Sequence, residues 1–259
     1  PLVDGYYQIG NAGQLMWFSN FVAAGNTSAN AKLVADIIYN EGDLSGLSGK
    51  TEGYRFWTPI GMIMNHENGI DNFGTYTGTF DGGGHFISGL YHFDYWSYDG
   101  YAGLVSKLGS GGVIKNVTVQ NSYIATSRLA GAILGENRGG IVENIYIDGI
   151  SMNQIKNDAL IFNMYYGGKS VSETIADGDN PNIVDMQPVD ETTPIFRNIN
   201  ISNVVCNGAG RAMTFNGLPE MPIDGITLEN INIIAEKGEE FNNSKNITKT
   251  NVNIVVQKY

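Results

Sequence analysis

Three acids, Glu136, Glu143 and Asp148, stand close together in the chain. Two carboxyl groups facing one groove, one protonated and one ionised, are what glycosidic-bond hydrolysis requires. Like charges on neighbouring strands raise one pKa towards that acid role. The plain reading of each is a solvated turn acid. The three histidines, His66, His85 and His92, lack the spacing of a metal-binding helix. Asp177, Asp179 and Asp185 offer oxygen ligands of the kind calcium takes, without the glutamate that closes an EF-hand loop. "FDGGGHF" (80–86) has the glycines of a phosphate loop, but no Lys-Ser/Thr follows and no helical pattern begins there. Cys206 is the only cysteine and reads as a buried small apolar residue. No metal and no cofactor is expected.

The elements that would position these groups are repetitive. "GVIKNVTVQN", "GIVENIYIDG", "PIFRNINISN", "PIDGITLENI" and "KTNVNIVV" each place alternating aliphatics after an Asn or Gly. The first aliphatic in each, with Leu90 of "HFISGLYHF" added, gives Leu90, Val117, Ile145, Ile199, Ile226 and Val252. The intervals are 27, 28, 54, 27 and 26 residues. A second anchor, Ala102, Ala130, Ala159 and Ala212, repeats at 28, 29 and 53. Alternation of period two means short strands with one buried face, and one unit cannot bury that face alone. The units must stack. The reading is all-β: a single right-handed parallel β-helix over 1–259, with Asn116, Asn144 and Asn198 stacked as a ladder. The N-x-Ser/Thr matches at Asn116, Asn200 and Asn246 read as ladder or strand residues. The doubled interval holds an aperiodic stretch, about 165–194, which reads as one long loop. "NAGQLMWFSNFVAAGN" places Leu15, Phe18, Phe21 and Val22 at helical spacing, with Asn11 and Gln14 as a capping pair and Gly25 as the stop. That predicts an N-terminal capping helix, followed by "AKLVADIIYN" as the first strand.

Composition limits the partners. Net charge is −11, so nucleic acid is not expected, and no apolar run reaches membrane-spanning length. Pro1 is not a natural start and no signal peptide is visible, so the chain reads as processed or trimmed. A monomer is expected.

Residues 4–137, with "WTPIG", "YTGTFDGGGHFISGLY" and "YAGLVSKLGSGGVIKNVTV", resemble the GLUG-type Gly-rich repeats of bacterial surface and secreted proteins. There the Phe-Asp-Gly-x-Gly-His run is a coil corner, which makes Asp81 and His85 structural. Residues 138–257, from "RGGIVENIYIDGISMNQIKNDALIF" through "MPIDGITLENINI", resemble the C-terminal coils of polygalacturonase-like enzymes, glycoside hydrolase family 28. The two resemblances join near Glu136–Gly140, as in a natural or engineered chimera. The family's Asn-Thr-Asp, Asp-Asp, Gly-His-Gly and Arg-x-Lys motifs are all missing here. The resemblance implies a carbohydrate cleft bordered by Tyr165, Tyr166, Lys169 and Arg211, with aromatic faces for sugar rings and cations for uronate carboxylates. The expected function is a secreted or surface bacterial protein, polysaccharide-associated and hydrolase-like, without catalytic residues. Two alternatives stay open: an active pectin-type hydrolase with relocated carboxylates, and a structural adhesin or stalk module.

Overall fold

The computed structural model describes residues 2–62, 74–94, 101–126, 129–164, 186 and 188–257. The first strands are short: β1 (Leu2–Val3), β2 (Tyr6–Ile9), β3 (Asn30–Leu33), β4 (Ile37–Ile38), β5 (Thr79–Asp81), β6 (Phe86–Ser88), β7 (Tyr91–Asp94), β8 (Tyr101–Ala102) and β9 (Val105–Gly109). Next come β10 (Val113–Gln120), β11 (Tyr123–Thr126), β12 (Leu129–Ala130) and β13 (Leu134–Arg138). The last are longer: β14 (Ile141–Asn163), β15 (Ile195–Asn216), β16 (Ile223–Ala235), β17 (Glu239–Asn242) and β18 (Ser244–Val256). Helix α1 (Ala12–Ala23) is the one α-helix among the described residues.

The main sheet runs β1-β2-β3-β5-β10-β14-β15-β16-β18, parallel throughout except for the β1–β2 hairpin. Strands β7–β11, β8–β12 and β9–β13 form three further parallel pairs. Pairing continues from β10 to β14 across position 138, with Val117 on Ile145. β14 and β15 are direct neighbours, Ile145 on Ile199, although 54 residues separate them. The doubled sequence interval therefore corresponds to a single step between neighbouring strands.

The strands bend at left-handed residues. Asn116, Asn144, Asn198, Gly225 and Asn246 all have positive φ, and so do Asn121, Gly149, Asn203, Asn230 and Asn251 five residues later. Asn tolerates this conformation because its short amide bonds locally. Here it also bonds the strand beside it. Asn144 Nδ2 donates to Asn116 Oδ1 and Asn198 Nδ2 to Asn144 Oδ1, each at 3.0 Å. Asn230 donates to Asn203 at 3.1 Å and Asn251 to Asn230 at 2.9 Å.

Between the two bends, Val117, Ile145, Ile199 and Ile226 are buried in one column. Each such side chain contributes roughly 1.5–3 kcal/mol relative to exposure. Two members expected in that column belong elsewhere. Ile247, not Val252, pairs with Ile226; Val252 pairs with Ile231. Leu90 lies beside Ser122, since Leu90 N donates to Ser122 Oγ and Tyr123 N to Leu90 O. Both errors are shifts of one bend, because an Asn or Gly followed by an aliphatic marks either turn.

Helix α1 forms as expected at its N-terminus: Asn11 Oδ1 accepts Gln14 N at 2.9 Å, and Gln14 Oε1 accepts Gly10 N at 2.7 Å. Leu15, Phe18 and Val22 are buried, with Phe18 against Tyr76 and Phe80. Phe21 is only partly buried and stacks on Trp17. Residues 31–40 do not hold the first strand. The β1–β2 hairpin precedes α1, and β2 pairs with β3, so the helix connects two adjacent strands.

Candidate functional site

The acids that open the question of catalysis each meet a structural partner. Glu136 on β13 is in register with Lys107 on β9. Its carboxylate lies 2.9 Å from Arg138 Nε and 4.0 Å from Lys107 Nζ, ion pairs without hydrogen-bond alignment. Its side chain is 2% exposed. Lys107 Nζ also sits 4.1 Å over the Tyr101 ring. A carboxylate held this way balances a buried lysine and a half-exposed arginine and has almost no contact with solvent, which activating a water requires. Glu143 accepts from Arg197 Nε at 2.6 Å across the β14–β15 boundary. Asp148 accepts from Ser202 Oγ at 2.6 Å and Asn203 Nδ2 at 2.7 Å across the same boundary. Further along, Asp224 accepts from Asn246 at 2.6 Å, a bond that holds its carboxyl below the usual range with help from Lys245.

The glycine-rich corner is likewise internal. Asp81 Oδ1 accepts Gly83 N at 2.9 Å and Asn116 Nδ2 at 3.0 Å. His85 Nδ1 lies 3.0 Å from Asp36 Oδ1. Asp81 pairs with Lys115, and Phe86 with Thr118. The "GGGH" stretch thus spans four residues where β10 uses two, so it bulges from the stack. His92 is buried, with Nδ1 2.8 Å from Trp57 O. Burial pushes the Cys206 thiol up to about 11. It behaves as the apolar residue expected, in register with Met152 and Ile233.

Of the four residues proposed to border a carbohydrate cleft, Arg211 is described; Tyr165, Tyr166 and Lys169 lie outside the described residues, as do His66, Asp177, Asp179 and Asp185. The Arg211 guanidinium is 3.0 Å from Glu240 Oε2 and 3.7 Å from Asp158 Oδ1, so two acids already balance its charge. Among the described residues no three His, Cys, Asp or Glu side chains cluster to hold a metal.

One surface feature had only a weak sequence signal. A cleft of about 260 Å³ lies between the β1–β2 hairpin and α1, lined by Leu2, Tyr7, Gln8, Ile9, Gln14 and Trp17. Trp17 is 47% exposed and lies on Phe21 with ring centres 5.1 Å apart and planes 14° apart. Its edge contact with Tyr7 is at 5.4 Å. The helical periodicity marks the buried face of α1. A tryptophan off that face was the available hint.

No family model matches the chain, and no solved structure matches it. The chain is 31% identical over 179 residues to halomucin of Haloquadratum walsbyi. The match covers 68% of this chain and 2% of halomucin, so the chain spans a small fraction of that relative's length.

Proposed function

We propose that this chain is a right-handed parallel β-helix module of a secreted or surface protein, a polysaccharide-associated scaffold without hydrolase chemistry of its own. The observation that carries this reading is the use of its acids. Glu143, Asp148 and Asp224 each bind a donor on the adjacent strand, and Glu136 balances two cations. These are bonds between successive layers, and a scaffold needs them to keep register. The two families of asparagine bends and the buried aliphatic column support the coil, since both continue across position 138. The likeness to halomucin supports a surface or secreted setting. No helix among the described residues is long and apolar enough to cross a membrane.

Two measurements test the proposal. Small-angle scattering should give one elongated particle; a two-lobed profile divided near residue 138 would remove the scaffold reading. Reducing-end release from polygalacturonate should match a blank for both the parent chain and Glu136→Gln. Release by the parent that Glu136→Gln abolishes would establish the rival reading, a hydrolase with relocated carboxylates. Glu136→Gln should also lower stability by roughly 3 kcal/mol or more, because it removes a buried carboxylate charge that faces Lys107 and Arg138.

A further inference from the structure

One column of the main sheet carries a charge on seven successive strands. In register it reads Lys32 on β3, Asp81 on β5, Lys115 on β10, Glu143 on β14, Arg197 on β15, Asp224 on β16 and Lys245 on β18. The sign alternates at every step. Charged residues are only 16% of the chain, so composition alone does not fill such a column. The next outward column, Thr118, Tyr146, Asn200, Thr227 and Thr248, has no charge at all. None of the seven charged residues is buried. Arg197 Nη2 lies 2.6 Å from Glu143 Oε2, and Lys245 Nζ lies 3.3 Å from Asp224 Oδ2.

The other columns cannot tell one layer from another. Val117, Ile145, Ile199 and Ile226 are near-equivalent aliphatics, and Asn116, Asn144 and Asn198 are the same residue. A strand that skipped one layer could still bury its aliphatics and bond its asparagine. The charges are different, because alternation puts equal signs two layers apart. A skip would set Arg197 on Lys115 in place of Glu143, or Asp224 on Glu143 in place of Arg197. Like charges opposite each other on paired strands are destabilising. Adjacent strands lie about 4.8 Å apart, inside the screening length of ordinary buffers. Connectivity does not forbid the skip, since Ile199 follows Ile145 by 54 residues.

We propose that this alternating column fixes the order in which the strands stack, by penalising every pairing that skips a layer, within one chain or between two copies. The inference rests on the paired strands and not on the polysaccharide-associated reading.

The test is a cycle in the full chain: Glu143→Arg, Arg197→Glu and the two together, compared by urea unfolding. The exchanged chain keeps the composition and net charge of the parent. If positions 143 and 197 formed an isolated pair, exchanging them would restore stability. In an alternating column the exchange does not rescue, because Glu143→Arg faces Lys115 and Arg197→Glu faces Asp224. Each single change and the exchange leave two like-charged steps. All three should raise the unfolding equilibrium constant by about fivefold or more. Sodium chloride at about 1 M should remove most of the difference between the exchanged chain and the parent. Glu143→Gln with Arg197→Gln erases the signs without reversing them. That chain should be less stable than either single neutral change. It should also return less native protein than the parent after dilution from urea, measured by elution volume and circular dichroism where both native states are stable. Three results overturn the proposal: an exchanged chain as stable as the parent, a penalty that salt leaves unchanged, or a neutral double chain that refolds as completely as the parent. If the reversals do not fold, the neutral cycle decides. A double neutral chain no less stable than the single ones would reduce the column to one ordinary ion pair.

Discussion

Lys249 stands in register on Leu228, and its ammonium lies 4.6 Å over the ring of Phe241. Leu228 continues a column of Ile37, Ile87, Val119, Ile147 and Ile201. Phe241 ends a stack with Phe162 and Phe215, whose ring centres are 5.1 Å apart at each step. One lysine therefore interrupts the aliphatic column and covers the last aromatic ring, while pairing with Glu239. A charge on the outermost described strand discourages another strand from adding. Lys249→Leu should restore the apolar column and produce concentration-dependent association in light scattering. A monodisperse Lys249→Leu chain would deny the lysine this role. Lys249→Ala should cost roughly 1 kcal/mol through the lost ring and ion-pair contacts.

Asn144 does two jobs that substitution can separate. It holds φ at 52°, and its amide bonds Asn116 on one side and Asn198 on the other. Asn144→Gly keeps the backbone and loses both amide bonds. Asn144→Ala loses the bonds and also places a Cβ in the left-handed region, a further penalty of roughly 1–2 kcal/mol. Thermal or denaturant unfolding should rank the parent above Gly and Gly above Ala. Equal Gly and Ala variants would mean that the bend relaxes.

These asparagines also explain how much of the fold was legible. The ladder of Asn116, Asn144 and Asn198 was readable because type and spacing coincide with the paired strands. The ends of the repeat were not. Asn246 and Asn251 are each followed by an aliphatic, and each begins a bend, so sequence alone could not say which matches Gly225. Pairing selected Asn246, because Ile247, partly buried, then packs beside Ile226. The β1–β2 hairpin was invisible for a different reason: Leu2–Val3 is too short to show alternation. Candidate acids could be named from sequence, but their partners could not. Arg197 and Ser202 lie 54 residues beyond Glu143 and Asp148, across the aperiodic sequence that breaks the repeat. Trp17 was passed over because periodicity reports the face a helix buries, not the one it presents.

The three glycines of the "GGGH" bulge should respond very differently to substitution. A Cβ on Gly82 would lie 2.3 Å from Asn116 O and 2.5 Å from Val117 Cα, both backbone atoms of the next strand. On Gly84 it would meet nothing within 4 Å, and φ there is +81°. Gly82→Ala should therefore destabilise by roughly 3 kcal/mol or force the strands apart. Gly84→Asn, which accepts left-handed φ, should stay within about 1 kcal/mol of the parent. Gly83 falls between, with φ +59° and Leu33 O at 2.7 Å. Urea midpoints of the Gly82→Ala and Gly84→Asn chains provide the comparison. A Gly82→Ala chain as stable as Gly84→Asn would show that the strands do not pack this closely.

His92 should make stability depend on pH. Burial lowers its pKa, opposed by the hydrogen bond to Trp57 O and the nearby Asp94 carboxylate. Among the described residues its buried Nε2 has no hydrogen-bond partner, so protonation would place a charge with no described acceptor for the proton. In the unfolded chain the imidazole titrates near 6.5. Below that value the unfolded state takes up a proton that the folded state resists. Stability from this residue is therefore complete above about pH 6.5 and declines as pH falls towards the depressed folded value. Carboxylates such as Asp224 act in the same direction at lower pH, so the histidine must be isolated by comparison. His92→Gln should flatten the slope of Tm between about pH 7.5 and 5.5 relative to the parent, whatever it does to Tm at neutral pH. Parallel slopes in the two proteins would mean that His92 is not held neutral by its burial.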